Sequence, residues 1–298
     1  MRIHLGADCP LNLEATLCCG QAFRWKKQAE WWIGVTEQGP FKIRQHTSHL
    51  ESENVSASYV KEYFGLKDNL PNIYARIGRD RVVREAIQEF SGLRILRQDP
   101  WECLVSYVCA TYKSIPAIKS MIQKLCGKFG DETHFEGRSH HSFPTSTALA
   151  EATIAELEQC GLGYRAKYVS GTARIVSKGA VDLEQLRQVS YEQARKELLR
   201  FPGVGYKVAD CVSLFSLGKL EAFPVDVWMR RAILRHYTRH LPRKLATNMK
   251  SEKSLSNAEY EKLSQFGRSH FGEYAGYAQE YLYHHERLHG LGLTIDQH

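Results

Sequence analysis

Around residue 203 two helical patterns meet with almost no chain between them. Residues 198–231 read LLRFPGVGYKVADCVSLFSLGKLEAFPVDVWMRR. Apolar periodicity predicts helices over 190–200 and 206–217, so Pro202-Gly203-Val204-Gly205 must reverse the chain within a few residues. Two glycines at that spacing permit a tight turn with positive φ angles. Such a turn exposes backbone N–H groups beside a helix N-terminus. Those donors, with the positive end of the helix dipole, suit a phosphate.

Lys207 lies in the first turn of the second helix. A cation is unfavourable there, which is expected to lower the amine's pKa and sharpen it as a nucleophile. Cys211, four residues on, shares its helix face. Asp226 follows Pro224-Val225, where Asp is a favoured N-cap for the helix after it. Spacing alone leaves two readings open. The plain one is a helix–helix turn, a solvated lysine and a cap; the other is a phosphate grip with a nucleophile and a carboxylate.

The 298 residues carry 40 Lys+Arg against 33 Asp+Glu, a formal +7. That fits a nucleic-acid partner without demanding one. The eight cysteines form no CxxC pair and read as reduced, mostly buried thiols. MRIHLGADCP has no apolar leader and no long apolar run follows, so no membrane partner is expected and the location expected is cytoplasmic, at the nucleoid in a prokaryote, or nuclear in a eukaryote. A monomer is expected. The fold class expected is α+β: a small N-terminal antiparallel sheet domain over 1–77 with short helices, then an all-helical body over 78–298. Strand signals lie at Ala22–Trp25, Trp31–Val35 and Phe41–Arg44. Residues 131–143 and 241–257 read as polar connections, and 182–187 as a helix. His134, His140 and His141 lack metal-ligand spacing and read as loop residues. Gln279 by itself reads as a surface polar residue, and Tyr283 as a core aromatic.

Phe201-Pro202-Gly203-Val204-Gly205-Tyr206-Lys207-Val208-Ala209-Asp210-Cys211, with Pro224-Val225-Asp226, resembles the helix–hairpin–helix (about 195–217 here) and catalytic aspartate of the DNA glycosylases of that superfamily. Four further stretches narrow the resemblance to the 8-oxoguanine DNA glycosylase/lyase family. They are Gly20-Gln21-Ala22-Phe23-Arg24-Trp25, Leu96-Arg97-Gln98-Asp99-Pro100, Gly161-Leu162-Gly163-Tyr164-Arg165-Ala166 and Tyr274-Ala275-Gly276-Tyr277-Ala278-Gln279. The likeness spans roughly residues 10–290.

The resemblance implies a substrate, duplex DNA with an oxidised purine, and a division of labour. Lys207 and Asp226 are the implied catalytic pair. Gly20 offers a backbone carbonyl to the lesion, Gln279 reads its Watson–Crick edge, and Cys211 and Tyr283 sandwich the ring. Gly203 and Gly205 hold DNA phosphate. Tyr164 wedges into the duplex, and Arg165 and Tyr112 face the orphaned base. Where the family has an asparagine and a second arginine, this chain has Tyr112 and Ala117, so a weaker preference for cytosine is expected. Trp228 replaces a phosphate-contacting histidine. With no cysteine after Cys211, no iron–sulfur cluster is expected, and no catalytic metal; a structural cation on the hairpin carbonyls near Phe201 and Val204 is left open. Alternatives are a relative acting on another damaged base and a non-catalytic DNA-binding module.

Overall fold

Short β-prone runs and amphipathic helical runs segregate along this chain, and the fold follows that order. The computed structural model describes residues 1–6, 8–250 and 254–290. A five-stranded antiparallel sheet, in the order β1-β5-β4-β3-β2, comprises β1 (Arg2–His4), β2 (Trp25–Gln28), β3 (Trp31–Thr36), β4 (Gly39–Gln45) and β5 (His49–Glu53). Trp25 pairs with Gly34 across β2 and β3, and a Cβ at Gly34 would lie 2.6 Å from the indole. The glycine thus lets the indole lie across the sheet, where its Nε1 donates to the Tyr63 hydroxyl at 3.0 Å.

A short helix, α1 (Leu13–Cys18), interrupts the sheet between β1 and β2. Strand-like composition around it gave no sign of a helix, but Asn12 caps it through Ala15 N–H and Leu13 and Leu17 are buried. Its end delivers Gly20. Then come α2 (Ala57–Tyr63), α3 (Leu70–Ile77), α4 (Arg81–Glu89), α5 (Pro100–Cys109) and α6 (Ile115–Phe129). The sheet and α2 share one core with Leu96, whereas Leu70, Ile73 and Ile77 of α3 join the larger helical core.

The polar stretch 131–143 is not a loop. It is a hairpin, β6 (Glu132–Phe135) and β7 (Arg138–His141), turning at Glu136 (φ 53°) and Gly137 (φ 69°). Two positive φ angles in a two-residue turn suit the twist of paired strands. The hairpin stands largely outside the core, so no apolar alternation betrays it. His134, His140 and His141 are therefore strand residues.

The remaining helices are α7 (Ser146–Glu151), α8 (Ile154–Gln159), α9 (Arg165–Ser177), α10 (Tyr191–Leu198), α11 (Tyr206–Phe215), α12 (Val227–His236), α13 (Arg243–Asn248), α14 (Asn257–Phe271) and α15 (Ala275–His289). α13 falls inside the stretch expected to be a connection; Leu245 and Met249, four apart, are its buried anchors among polar residues. Residues 182–187 hold only a 3-10 turn at Gln185–Arg187. Among the described residues no helix is long and apolar enough to cross a membrane.

One buried carboxylate fastens the helices that matter most. Asp210 of α11 has no solvent exposure and accepts hydrogen bonds from the hydroxyls of Tyr191 (2.7 Å) and Tyr260 (2.6 Å) and, more weakly, Ser264 (3.3 Å). Arg195 lies 2.9 Å from it and also pairs with Glu261 at 2.8 Å. α10, α11 and α14 thus meet at one charge. Asp210→Ala leaves Arg195 without its buried partner and is expected to cost about 3–5 kcal/mol, read as a lower denaturant midpoint. A loss under about 1 kcal/mol would mean the network holds nothing together.

Candidate active site

The hairpin between α10 and α11 has the expected shape with one difference. Ser190 and Gln193 start α10 with a reciprocal capping box. Gly203 has φ +77°, and a Cβ there would lie 2.5 Å from the Tyr168 ring. Gly205, in contrast, is extended (φ −95°, ψ −179°), so only one of the two glycines is left-handed. Its part is room: a Cβ on Gly205 would meet nothing within 4 Å. The first N–H groups of α11 lack intrahelical partners, as in any helix, and no side chain caps them. The Phe201 carbonyl accepts the Val204 amide at 3.1 Å, which leaves one of its lone pairs for another partner.

Lys207, second in α11, is half-buried with its Nζ 5.0 Å from the centroid of the Tyr107 ring. Its charge acts on both Cys211 and Asp226. Cys211 is buried, and burial pushes its thiol up to about 12 against the pull of Lys207. Asp226 is the N-cap of α12: Oδ1 accepts from the N–H groups of Trp228 (3.0 Å) and Met229 (2.9 Å). Both caps fall on one oxygen, so Oδ2 is not needed for them. Asp226 keeps some solvent exposure but is walled in by protein. That desolvation raises its pKa, while the cap from Met229 and the Lys207 charge oppose the rise.

The opposite wall comes from α1 and α15. Gly20 has φ +99°, and a Cβ there would lie 3.3 Å from the Tyr283 hydroxyl. Its neighbour Gln21 locks the segment: Nε2 donates to the carbonyls of Thr16 (3.0 Å) and Arg94 (2.8 Å), and Oε1 accepts Leu96 N–H at 2.8 Å. Gln98 Nε2 donates to the Gln21 carbonyl at 2.8 Å, and Gln98 N–H donates to Phe215 at the end of α11. Two of the stretches in the motif set therefore brace each other and the lysine helix.

Tyr283 is half-buried, with Arg287 5.5 Å from its ring centroid, and it feels the charge of Asp226. Gln279, one turn earlier, is buried at 4% exposure rather than lying on the surface. Its Oε1 is buried with no hydrogen-bond partner. An orphaned buried acceptor is costly, so this one is a ready seat for a donor on a ligand.

The residues expected to face DNA form a second group. Tyr164 (54% exposed) and Tyr168 pack edge to face at 5.9 Å, and Tyr168 covers Gly203. Tyr112 is 80% exposed and held at φ +54°, uncommon for a bulky residue. Arg165 is buried beneath them. It donates to the carbonyls of Thr111 and Leu162, with its guanidinium 4.4 Å from the centroid of the Tyr164 ring. In this position it braces the Tyr112 loop and does not itself reach the surface. Trp228 carries Arg231 4.7 Å from its ring centroid.

Residues 6–104 match the 8-oxoguanine DNA glycosylase N-terminal domain, and residues 105–267 match the HhH-GPD superfamily of base excision DNA repair proteins. The chain belongs to the 8-oxoguanine DNA glycosylase/lyase family. A probable N-glycosylase/DNA lyase of Methanothermobacter thermautotrophicus is 32% identical, over 86% of this chain and 82% of that one. The N-glycosylase/DNA lyase of Saccharomyces cerevisiae is 31% identical, over 93% and 83%. The Clostridium acetobutylicum 8-oxoguanine glycosylase/lyase, solved with double-stranded DNA bearing cytosine opposite 8-oxoguanine, superposes with a TM-score of 0.86 at 30% identity, covering 97% of this chain and 98% of that one.

Sequence reasoning missed two residues of the glycosylase's site. Tyr107, under Lys207, reads as a core aromatic on α5. Glu280, beside Gln279, is buried with Oε1 unpartnered. Burial and the charge of Asp226 push it up to about 7. Its only signal is a carboxylate at a core position of an amphipathic helix.

A carboxylate raised in the folded state disfavours folding as it ionises. The penalty is absent below the unfolded value near 4.5, grows as pH rises, and is complete above about 7. Glu280→Gln removes it. The stability of that variant relative to the parent is expected to rise by about 2 kcal/mol between pH 5 and pH 8, as urea unfolding measures. A gap independent of pH would contradict the assignment.

Proposed function

We propose that this chain excises 8-oxoguanine from duplex DNA and then nicks the strand at the abasic sugar. The reading rests on one observation: the charge of Lys207 acts on the capped Asp226, Asp226 acts in turn on Tyr283, and Gln279, one turn before Tyr283 on α15, keeps a buried acceptor without a partner. The recess proposed for the base lies among these residues. The activities named for the chain's relatives support the reading.

A base inside a duplex hides its glycosidic bond, so the nucleotide rotates into the recess. Lys207 Nζ attacks C1′ as the free amine. The bond from C1′ to the base breaks, and its electron pair leaves with the purine. Opening of the sugar ring then gives an imine between Nζ and C1′. The imine acidifies the C2′ hydrogen; loss of that proton expels the 3′ phosphate by β-elimination. Asp226 stabilises the positive charge that develops on the sugar and helps to move protons, with Oδ1 occupied by the cap. Gly20 and Gln279 choose the base. A carbonyl at Gly20 accepts the N7 hydrogen that guanine lacks, a difference worth roughly 1–3 kcal/mol. Gln279 Oε1 takes a donor from the base's Watson–Crick edge. Gly203, Gly205 and the open start of α11 grip phosphate, while Tyr164 fills the gap in the stack.

Borohydride reduction of the imine tests the mechanism. The parent protein is expected to yield a covalent adduct with 8-oxoguanine DNA. Lys207→Gln is expected to yield none and to lose strand nicking by at least about a thousand-fold. Nicking by the variant at the parental rate would end the proposal.

Specificity opposite the lesion is the second expectation. Tyr112 and Ala117 supply no bidentate donors, and each such pair is worth about 1–3 kcal/mol. Excision opposite cytosine and opposite adenine should therefore differ by less than about ten-fold in single-turnover assays. Strict dependence on cytosine would show that other groups read the orphaned base.

A further inference from the structure

Just beyond Tyr283, the end of α15 places two imidazoles one helical turn apart. His285 and His289 stand in the order His285-Glu286-Arg287-Leu288-His289, so both project from one helix face. Glu89, the last residue of α4, reaches them from the neighbouring helix. Its Oε1 lies 2.8 Å from His289 Nε2 and its Oε2 3.7 Å from His285 Nε2. The three ligand atoms all fall within 4.8 Å of one another. A tetrahedral zinc site, with bonds of about 2.0–2.2 Å, separates its ligand atoms by about 3.4 Å. Small rotations of exposed or half-exposed side chains close that difference.

We propose that Glu89, His285 and His289 bind one divalent transition-metal ion of the zinc class, which clamps the end of α15 to the end of α4. Two imidazoles and a carboxylate are the donor set such ions favour over magnesium or calcium. The spacing His-Glu-x-x-His also occurs in zinc hydrolases, where the glutamate acts as a base. Here that glutamate cannot serve. Glu286 is buried, and its Oε2 pairs with Arg235 at 3.3 Å. The site is therefore a staple with an open position for water, and no hydrolytic reaction goes with it. It lies on the helix that carries Gln279 and Tyr283, but His285, two residues after Tyr283, falls on the opposite helix face, so occupancy fixes the helix without touching the lesion side.

The test uses the full chain, stripped with chelator and titrated with zinc chloride. Calorimetry is expected to give one ion per chain, and excess zinc to raise Tm by roughly 5 °C. His289→Ala and Glu89→Gln should each weaken binding by at least about ten-fold while leaving the metal-free Tm and 8-oxoguanine excision close to the parent's. Cobalt should give the intense visible bands of a four-coordinate site, lost in His285→Ala. No saturable binding, or binding unchanged in these three variants and lost instead in His46→Ala, where His46 stacks on His49 at 4.5 Å, would overturn the proposal.

Discussion

A carboxylate with no access to water holds this molecule's chemistry in place. Asp210 cannot be solvated, so it must be surrounded by donors, and those come from α10 and α14 as well as its own surroundings. An ionised group in such a place is unforgiving of movement, because each lost donor leaves charge uncompensated. Lys207 lies three residues before Asp210 on the same helix. The network therefore fixes the azimuth of the helix and, with it, the direction in which the amine enters the recess. Tyr206 reinforces this, with Arg195 4.5 Å from its ring centroid.

Helix beginnings do the rest of the placing. Lys207 stands in the first turn of α11 and Asp226 is the cap of α12. A cap position has a defined backbone conformation and a side chain turned back over the helix start, so the aspartate's direction follows from its structural task. One oxygen satisfies two N–H groups, leaving the other for chemistry. In the proposed reaction, structural and catalytic duties thus fall on different atoms of one residue, and neither needs strain. The same economy holds at Gly20, whose carbonyl is fixed by hydrogen bonds that its neighbour Gln21 makes to three distant backbone groups.

Much of this was legible in the chain. Helices with apolar periodicity and marked caps, such as α10 and α14, lie within a few residues of where the pattern puts them. The amine, the cap and the turn at 203 were readable from spacing, because turn chemistry and capping are local. Their joint meaning was not, since spacing alone allowed a plain structural reading. What escaped was governed by tertiary contact. The β6–β7 hairpin buries too little to show alternation. α1 is six residues long and its apolar face matters only against the sheet. Gln279 looked like a surface residue because nothing local reports that α15 is covered on nearly every side.

On the side proposed to face DNA, a change of residue type would alter the means of recognition. Arg165 turns its two terminal nitrogens to the carbonyls of Thr111 and Leu162. A guanidinium so engaged is a brace, and what it braces is a tyrosine in a left-handed conformation, which costs about 1–2 kcal/mol without support. Strain of that kind persists only where the surroundings over-determine it. The product is a row of exposed rings, Tyr112, Tyr164 and Tyr168, beside the open glycine turn. Rings engage an unpaired base by its face, which all bases share, whereas arginine and asparagine read its edge, which differs from base to base. A surface built on faces gains tolerance and gives up discrimination. The proposed relaxed preference for the opposite base then follows from the geometry of this loop as a whole, and not from the absence of a single donor.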